Sequence, residues 1–206
     1  MHFFDPDSTA TIFLTRVFDL ILLNILFVAT CLPVFTAGAA LAALYSMTLA
    51  MQEGTEGAIF RGYLRAFREN FRQATLLWIP LLLLAAFFGL DLYIIFTQLD
   101  ASLRWMQIPV WILLFLLLSV LIYGFPLISR YRNTTKQTVI NSLLLSISNI
   151  PTTVFILVVH IALVTAALAL PTFRIVLFSI LIFIGCSTLA WFFSIFLYRI
   201  FQKAAS

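Results

Sequence analysis

Residues 74–97 read ATLLWIPLLLLAAFFGLDLYIIFT, with Asp91 as their single charged residue. A helix rises ~1.5 Å per residue, so this run is long enough to cross the ~30 Å hydrocarbon core of a bilayer. A helix that is apolar all round needs apolar surroundings. The pattern recurs at 108–129, 151–170 and 175–198. The stretch 17–51 is too long for one span and is broken at Leu32-Pro33. Proline removes an amide donor and clashes with the preceding turn. The stretch therefore divides into spans at 17–32 and 37–51, with Pro33-Val34-Phe35-Thr36 as the turn. A re-entrant or kinked single helix is the other arrangement compatible with this break. The expected fold class is all-α: a polytopic transmembrane helix bundle of about six spans with a cytoplasmic amphipathic helix, in one domain over 1–206.

Composition carries the same message. Of 206 residues, 63% are hydrophobic and 10% charged, with 22 Phe, and mean hydropathy is +1.11. A soluble core of this size cannot hide that much apolar surface. A soluble enzyme, a disordered chain and a disulfide scaffold are thereby excluded. The net charge of +4 fits basic loops on the cytoplasmic side of a membrane protein, so nucleic acid is not an expected partner. Cys31 and Cys186 lie in apolar runs and read as small core hydrophobes. Residues 1–15 carry Asp5 and Asp7 and lack a basic start, so no cleavable leader is expected.

The loops set the expected sidedness. Loop 52–73 holds Arg61, Arg65, Arg68 and Arg72, loop 130–150 holds Arg130, Arg132 and Lys136, and the tail holds Arg199 and Lys203. Only Arg104 and Arg174 lie in the intervening loops. The positive-inside rule then puts loops 52–73 and 130–150, and both termini, in the cytoplasm of a bacterial cell.

The first of these loops has a helical pattern of its own. Phe60, Tyr63, Leu64, Phe67 and Phe71 fill one arc, and Arg61, Arg65, Arg68 and Arg72 fill another of about 60°. An interfacial helix would set the aromatic stripe in the acyl boundary and the arginines on anionic lipid head groups, so one surface explains both stripes. A helix that docks a cytoplasmic protein partner is the other reading. The second loop repeats the theme, with Val139, Ile140, Leu143, Leu144 and Ile147 on one face and Gln137, Asn141 and Ser148 polar. Each loop runs into a span through a similar lead-in, Asn70-Phe71-Arg72-Gln73-Ala74-Thr75 and Asn149-Ile150-Pro151-Thr152-Thr153. Two related units, each a span, an amphipathic helix and a return span, would produce this.

Ionisable and amide groups within spans are functional candidates because burying them in lipid is expensive. Asn24, Asp91 and His160 are the candidates here. Asn24 and His160 read as hydrogen-bonding groups between helices, and Asp91 lies where water can reach the outer end of its span. Asp19 follows Arg16 by three residues, which suggests a local helix pair. Four-residue spacing of small residues in Gly38-Ala42-Ser46 and Ala39-Ala43 points to close helix packing, as does the face of Ser187, Ala190 and Ser194. No phosphate-cradling loop, metal-binding spacing or nucleophile motif is present, and no span carries paired carboxylates. Neither catalysis, a cofactor nor a metal is expected.

A family resemblance emerges from these residues. Phe3-Phe4-Asp5-Pro6-Asp7-Ser8, Phe18-Asp19-Leu20 through Asn24, Leu32-Pro33-Val34-Phe35-Thr36-Ala37-Gly38, Ala42-Ala43-Leu44-Tyr45 and Phe67-Arg68-Glu69-Asn70-Phe71-Arg72-Gln73-Ala74-Thr75 resemble YesL-type bacterial membrane proteins. Phe125-Pro126-Leu127 and Asn149-Ile150-Pro151-Thr152-Thr153 also fit. Where that family often has Val-Thr-Ile-Gly after the proline, this chain has Val-Phe-Thr-Ala-Gly. The resemblance implies a membrane protein of unknown function, from a family whose genes often stand beside carbohydrate ABC-transporter components. It implies an accessory or scaffold role in carbohydrate uptake, with ABC-transporter subunits as partners; a small permease acting on its own is the alternative. It supplies no site residues.

Overall fold

The computed structural model describes the backbone of residues 9–98 and 101–205, so the motif Phe3–Ser8 lies outside the described residues. Every regular element among them is helical. In chain order these are α1 (Thr9–Cys31), α2 (Ala37–Glu53), α3 (Ile59–Thr97), α4 (Gln107–Arg130), α5 (Thr135–Ser148), α6 (Ile150–Ala169), α7 (Pro171–Ile180) and α8 (Cys186–Ala205). Short 3-10 turns lie at Val34–Thr36 and Ala101–Met106, and a π-helical turn, Leu181–Gly185, joins α7 to α8. Six stretches are long and apolar enough to cross a membrane: Thr11–Cys31, Val34–Glu53, Ile59–Thr97, Gln107–Arg130, Ile150–Ala169 and Arg174–Ala204. This is an all-α, multi-span membrane protein.

At Leu32-Pro33 the chain turns instead of kinking. Pro33 is extended, with ψ 118°. The Thr36 hydroxyl, aimed back at the end of α1, donates to the carbonyls of Thr30 (2.6 Å) and Pro33 (2.7 Å). The contact to Thr30 covers a carbonyl that the end of α1 leaves open. Two helices form, α1 and α2.

Helix α2 is the centre of the bundle. Gly38, Ala39, Ala40, Ala42 and Ala43 are buried in it. In lipid no hydrophobic force drives helices together, so close backbone approach and dispersion must. A Cβ added at Gly38 would lie 2.5 Å from Trp78 Cβ and 2.7 Å from the Ala74 carbonyl oxygen. The Trp78 indole N–H closes the same corner on the Val34 carbonyl at 2.7 Å. The last span packs through the small face its sequence presents: Ser187, Ala190 and Ser194 are all buried. Leu83, Phe87, Leu90, Val164, Leu168 and Phe183 point outward, as lipid-facing residues do.

Three local expectations are corrected. First, the amphipathic segment of loop 52–73 is not a separate interfacial helix. It is the first part of α3, which runs 39 residues without interruption. At ~1.5 Å per residue that is about 58 Å, so one end must leave the ~30 Å hydrocarbon layer. Nor does its aromatic stripe form one free face: Tyr63 is fully buried among Leu20, Leu44 and Met47, and Phe67 packs at the edge of that cluster. Of the stripe, Phe60 is the member that stays exposed.

Second, α5 is turned the other way round from the simple amphipathic reading. Its buried positions are Thr138, Ser142 and Ser146, while Ile140, Leu144 and Ile147 are exposed. The Ser146 hydroxyl donates to Ser119 of α4 at 2.8 Å. When the surroundings are lipid, small polar residues serve the helix contact and the large apolar ones face out.

Third, the two units differ. In the second, Pro151 near the start of α6 lacks an N–H and disfavours helix in the residue before it, so α5 and α6 separate at Asn149. Residues 70–75 contain no proline, and α3 continues through them. A capping box starts α5: the Thr134 hydroxyl accepts from the Gln137 N–H, and the Gln137 side chain accepts from the Thr134 N–H.

Candidate functional site

The arginine stripe and the core face of α3 are nearly opposite. At ~100° per residue, Arg61, Arg65, Arg68 and Arg72 lie about 160° from Ile59, Tyr63 and Ala66, which are buried. All four arginines are exposed. None forms an ion pair among the described residues. Glu69, within four residues of Arg65, Arg68 and Arg72, forms no ion pair with any of them, and the two acids before the stripe are spent elsewhere. Glu53 holds Arg130 at 2.8 Å, and Glu56 pairs with Arg16. Arg16 therefore makes its ion pair with the α2–α3 loop, while Asp19, at the local spacing, feels its charge without a direct ion pair.

Beside the stripe lie two polar clefts. One, of about 410 Å³, sits over the α2–α3 loop and is lined by Glu56, Arg61, Arg65 and Glu69 among others. The second, of about 660 Å³, lies between α3 and the α4–α5 connection and is lined by Glu69, Gln73, Arg130, Arg132, Asn133 and Gln137. Ser46, Ala66 and Glu69 line both. The second cleft is built by hydrogen bonds across the fold. Gln73 Nε2 donates to the Asn133 carbonyl (2.8 Å) and to Thr138 Oγ1 (3.3 Å), which ties α3 to the start of α5. Arg130 is held by Glu53 and lies over the Tyr198 ring, 5.5 Å from its centroid. That stacking spreads its charge over an aromatic face and fixes the end of α4 against α8.

Chemically this surface suits carboxylate or phosphate groups. Guanidinium presents a planar fork of donors that matches either anion. Four exposed arginines on one helix, with Arg132 beside the second cleft, give it a positive sign that Glu69 only partly offsets.

The intramembrane candidates do not join this site, nor one another. Asn24 is fully buried. Its amide nitrogen donates to the carbonyls of Leu181 (3.0 Å) and Ile182 (2.6 Å), and its oxygen accepts from the Ser187 N–H (2.9 Å). These are the backbone groups of the π-helical turn, where i→i+5 bonding disturbs the regular ladder. The Ser187 hydroxyl returns the contact to the Leu20 carbonyl at 2.7 Å. His160 donates through Nδ1 to the Ile156 carbonyl of its own helix at 2.8 Å. Its ring stacks on Phe193 at 5.2 Å and lines an apolar cavity of about 290 Å³ between α4 and α6. Asp91 is half-buried near the end of α3, far along the chain from the arginines. Cys31 and Cys186 are free and half-buried.

Glu53, Glu56, Gln73, Arg130 and Asn133 are the site residues that sequence reasoning passed over as site members. The Thr-x-x-Gln capping box at Thr134–Gln137 was the available signal for the start of α5, and hence for the wall of the second cleft. The cross-helix pairs Arg16–Glu56 and Glu53–Arg130 leave no local signature.

No curated protein matches the chain. No solved structure matches it. Residues 20–92, which run from α1 through α2 and most of α3 and carry Asn24, the turn at Pro33, the arginine stripe and Asp91, match the family described as "Protein of unknown function, DUF624".

Proposed function

We propose that the protein is an accessory or scaffold subunit of a membrane uptake assembly, and that it docks its partner through the arginine face of α3. The observation that carries this is the separation of the two stripes. With Tyr63 buried inside the protein and Phe67 packed against the same cluster, a lipid surface no longer accounts for both. The four exposed arginines are left without internal acids to satisfy them. The resemblance to YesL-type proteins supplies the context of carbohydrate ABC-type uptake and names ABC-transporter subunits as the partner class. In this reading loops 52–73 and 130–150 and both termini face the cytoplasm. A permease acting alone would use Asn24, Asp91 or His160 along a wet path. Here Asn24 spends both ends of its amide on the backbone, and His160 lines an apolar cavity.

Changing Arg61, Arg65, Arg68 and Arg72 together to Lys separates docking from lipid attraction. Summed charge on lipid head groups is kept by Lys, whereas bidentate recognition of a protein carboxylate is not. Docking predicts loss of carbohydrate uptake by cells whose variant protein inserts normally. Full uptake with the lysine variant would overturn it, leaving anionic lipid as the stripe's sole partner.

A further inference from the structure

An apolar groove of about 480 Å³ runs between α3, α4 and α5, walled by residues such as Leu76, Leu84, Leu113, Leu116 and Val139. Its one polar lining residue is Thr135. That residue marks one end. Gln73 bonds to Asn133 and Thr138, so the part of α3 just before Leu76 lies beside the start of α5. The Ser146–Ser119 bond places the far end of α5 against the middle of α4. The groove therefore starts at Leu76 and Thr135 and runs toward Phe88 and Leu113. Along α3 that is about 18 Å, a little more than one leaflet of hydrocarbon.

A cation stands at that polar end on each of two walls. Arg72 precedes Leu76 by four residues on α3, and Lys136 precedes Val139 by three on α5. Residues three and four apart are neighbours on a helix, so Arg72 adjoins Leu76 at the edge of the α3 wall and Lys136 adjoins Val139 on the α5 wall. Both are exposed. Glu69, the acid nearest Arg72 in sequence, lines the polar clefts instead. A one-leaflet apolar trough with two positive charges at one end matches the chemistry of a single lipid.

We propose that this groove holds an acyl chain of an anionic phospholipid whose phosphate is paired by Arg72 and Lys136. The site shares Arg72 with the arginine stripe but does not rest on the docking reading, whose outward face is also carried by Arg61, Arg65 and Arg68. A zwitterionic lipid offers the same phosphate already balanced by its own ammonium and gains less from the two cations, and a second copy of the chain would bring no matching anion to them unless an acid of its surface met the rim.

The test uses the full-length protein, purified in mild detergent with an equimolar mixture of phosphatidylglycerol and phosphatidylethanolamine, with retained lipid counted by native mass spectrometry. The wild type retains phosphatidylglycerol in preference. In the double variant Arg72→Gln/Lys136→Gln that preference falls about thirtyfold, the effect of two cationic contacts at a membrane surface. Leu84→Trp, which fills the trough, lowers retention of both lipids. Arg61→Gln/Arg65→Gln removes the same charge away from the groove and leaves the preference as it was. An equal loss in that control, an unchanged preference in Arg72→Gln/Lys136→Gln, or a dimer retained in place of lipid would overturn the proposal.

Discussion

Asn24 shows how much one buried side chain can hold. Three backbone groups at the junction of the π-helical turn and α8, the carbonyls of Leu181 and Ile182 and the N–H of Ser187, depend on its amide. Without it they would face an apolar interior, where each unpaired group costs ~1–3 kcal/mol before the structure relaxes. Measured side-chain bonds between membrane helices are weaker, at roughly 0.6–2 kcal/mol. Asn24→Leu should therefore destabilise the protein by about 1–3 kcal/mol. Thermal unfolding in detergent checks this, and an unshifted midpoint would show that the turn closes on itself. That Asn24 bonds between helices was legible, because an amide in an apolar run needs a partner. Which groups it meets was not, because a π turn in Leu181–Gly185 has no local sequence signal. For Arg16 the local signal misled. Asp19 stood at the right spacing, but the α2–α3 loop brought Glu56 to it.

At the scale of elements, close packing of α2 on α3 and the proline break are what the sequence carried best. Small residues every fourth position have one strong use in lipid, and Gly38 meets it by sitting against the backbone of Ala74. Gly38→Ala forces that backbone or the Trp78 Cβ to shift, and overpacking of this kind costs ~1–3 kcal/mol. At Gly62 an added Cβ meets only the flexible end of Met47, at 2.9 Å. Alanine also favours helix over glycine by ~1 kcal/mol. Gly62→Ala is thus expected to be neutral or mildly stabilising, while Gly38→Ala lowers the unfolding midpoint. Equal effects would mean that the α2–α3 contact is looser than described. The faces of α3 and α5 were harder to read. Large aromatic and branched residues dominate a hydrophobic pattern, yet Ala66, Ala74, Ser142 and Ser146 are buried beside Tyr63 and Leu77 while Phe60, Leu76 and Leu144 are exposed. In a membrane protein the bulkiest stripe is not a reliable guide to the core, since lipid accepts it as readily as a neighbouring helix does.

For the whole molecule, number and class of spans follow from composition and run length, while the two polar clefts arise only from tertiary contacts. Sidedness rests on the distribution of Lys and Arg, and it can be measured. In a background with Cys31 and Cys186 replaced, Gly57→Cys fits without a clash, since nothing lies within 4 Å of its Cβ, and Leu103 is exposed. An impermeant thiol reagent added to intact cells should label Leu103→Cys and leave Gly57→Cys untouched; the reverse pattern would invert the bundle. Docking through the arginine face is the central claim, and the most direct measurement of it is photocrosslinking in native membranes. A benzophenone amino acid replaces either Arg65 on that face or Leu90, exposed in the apolar part of α3. The account predicts a discrete protein adduct from position 65, identified as a subunit of an ABC-type uptake system, and lipid adducts alone from position 90. Lipid adducts alone from both positions would contradict it.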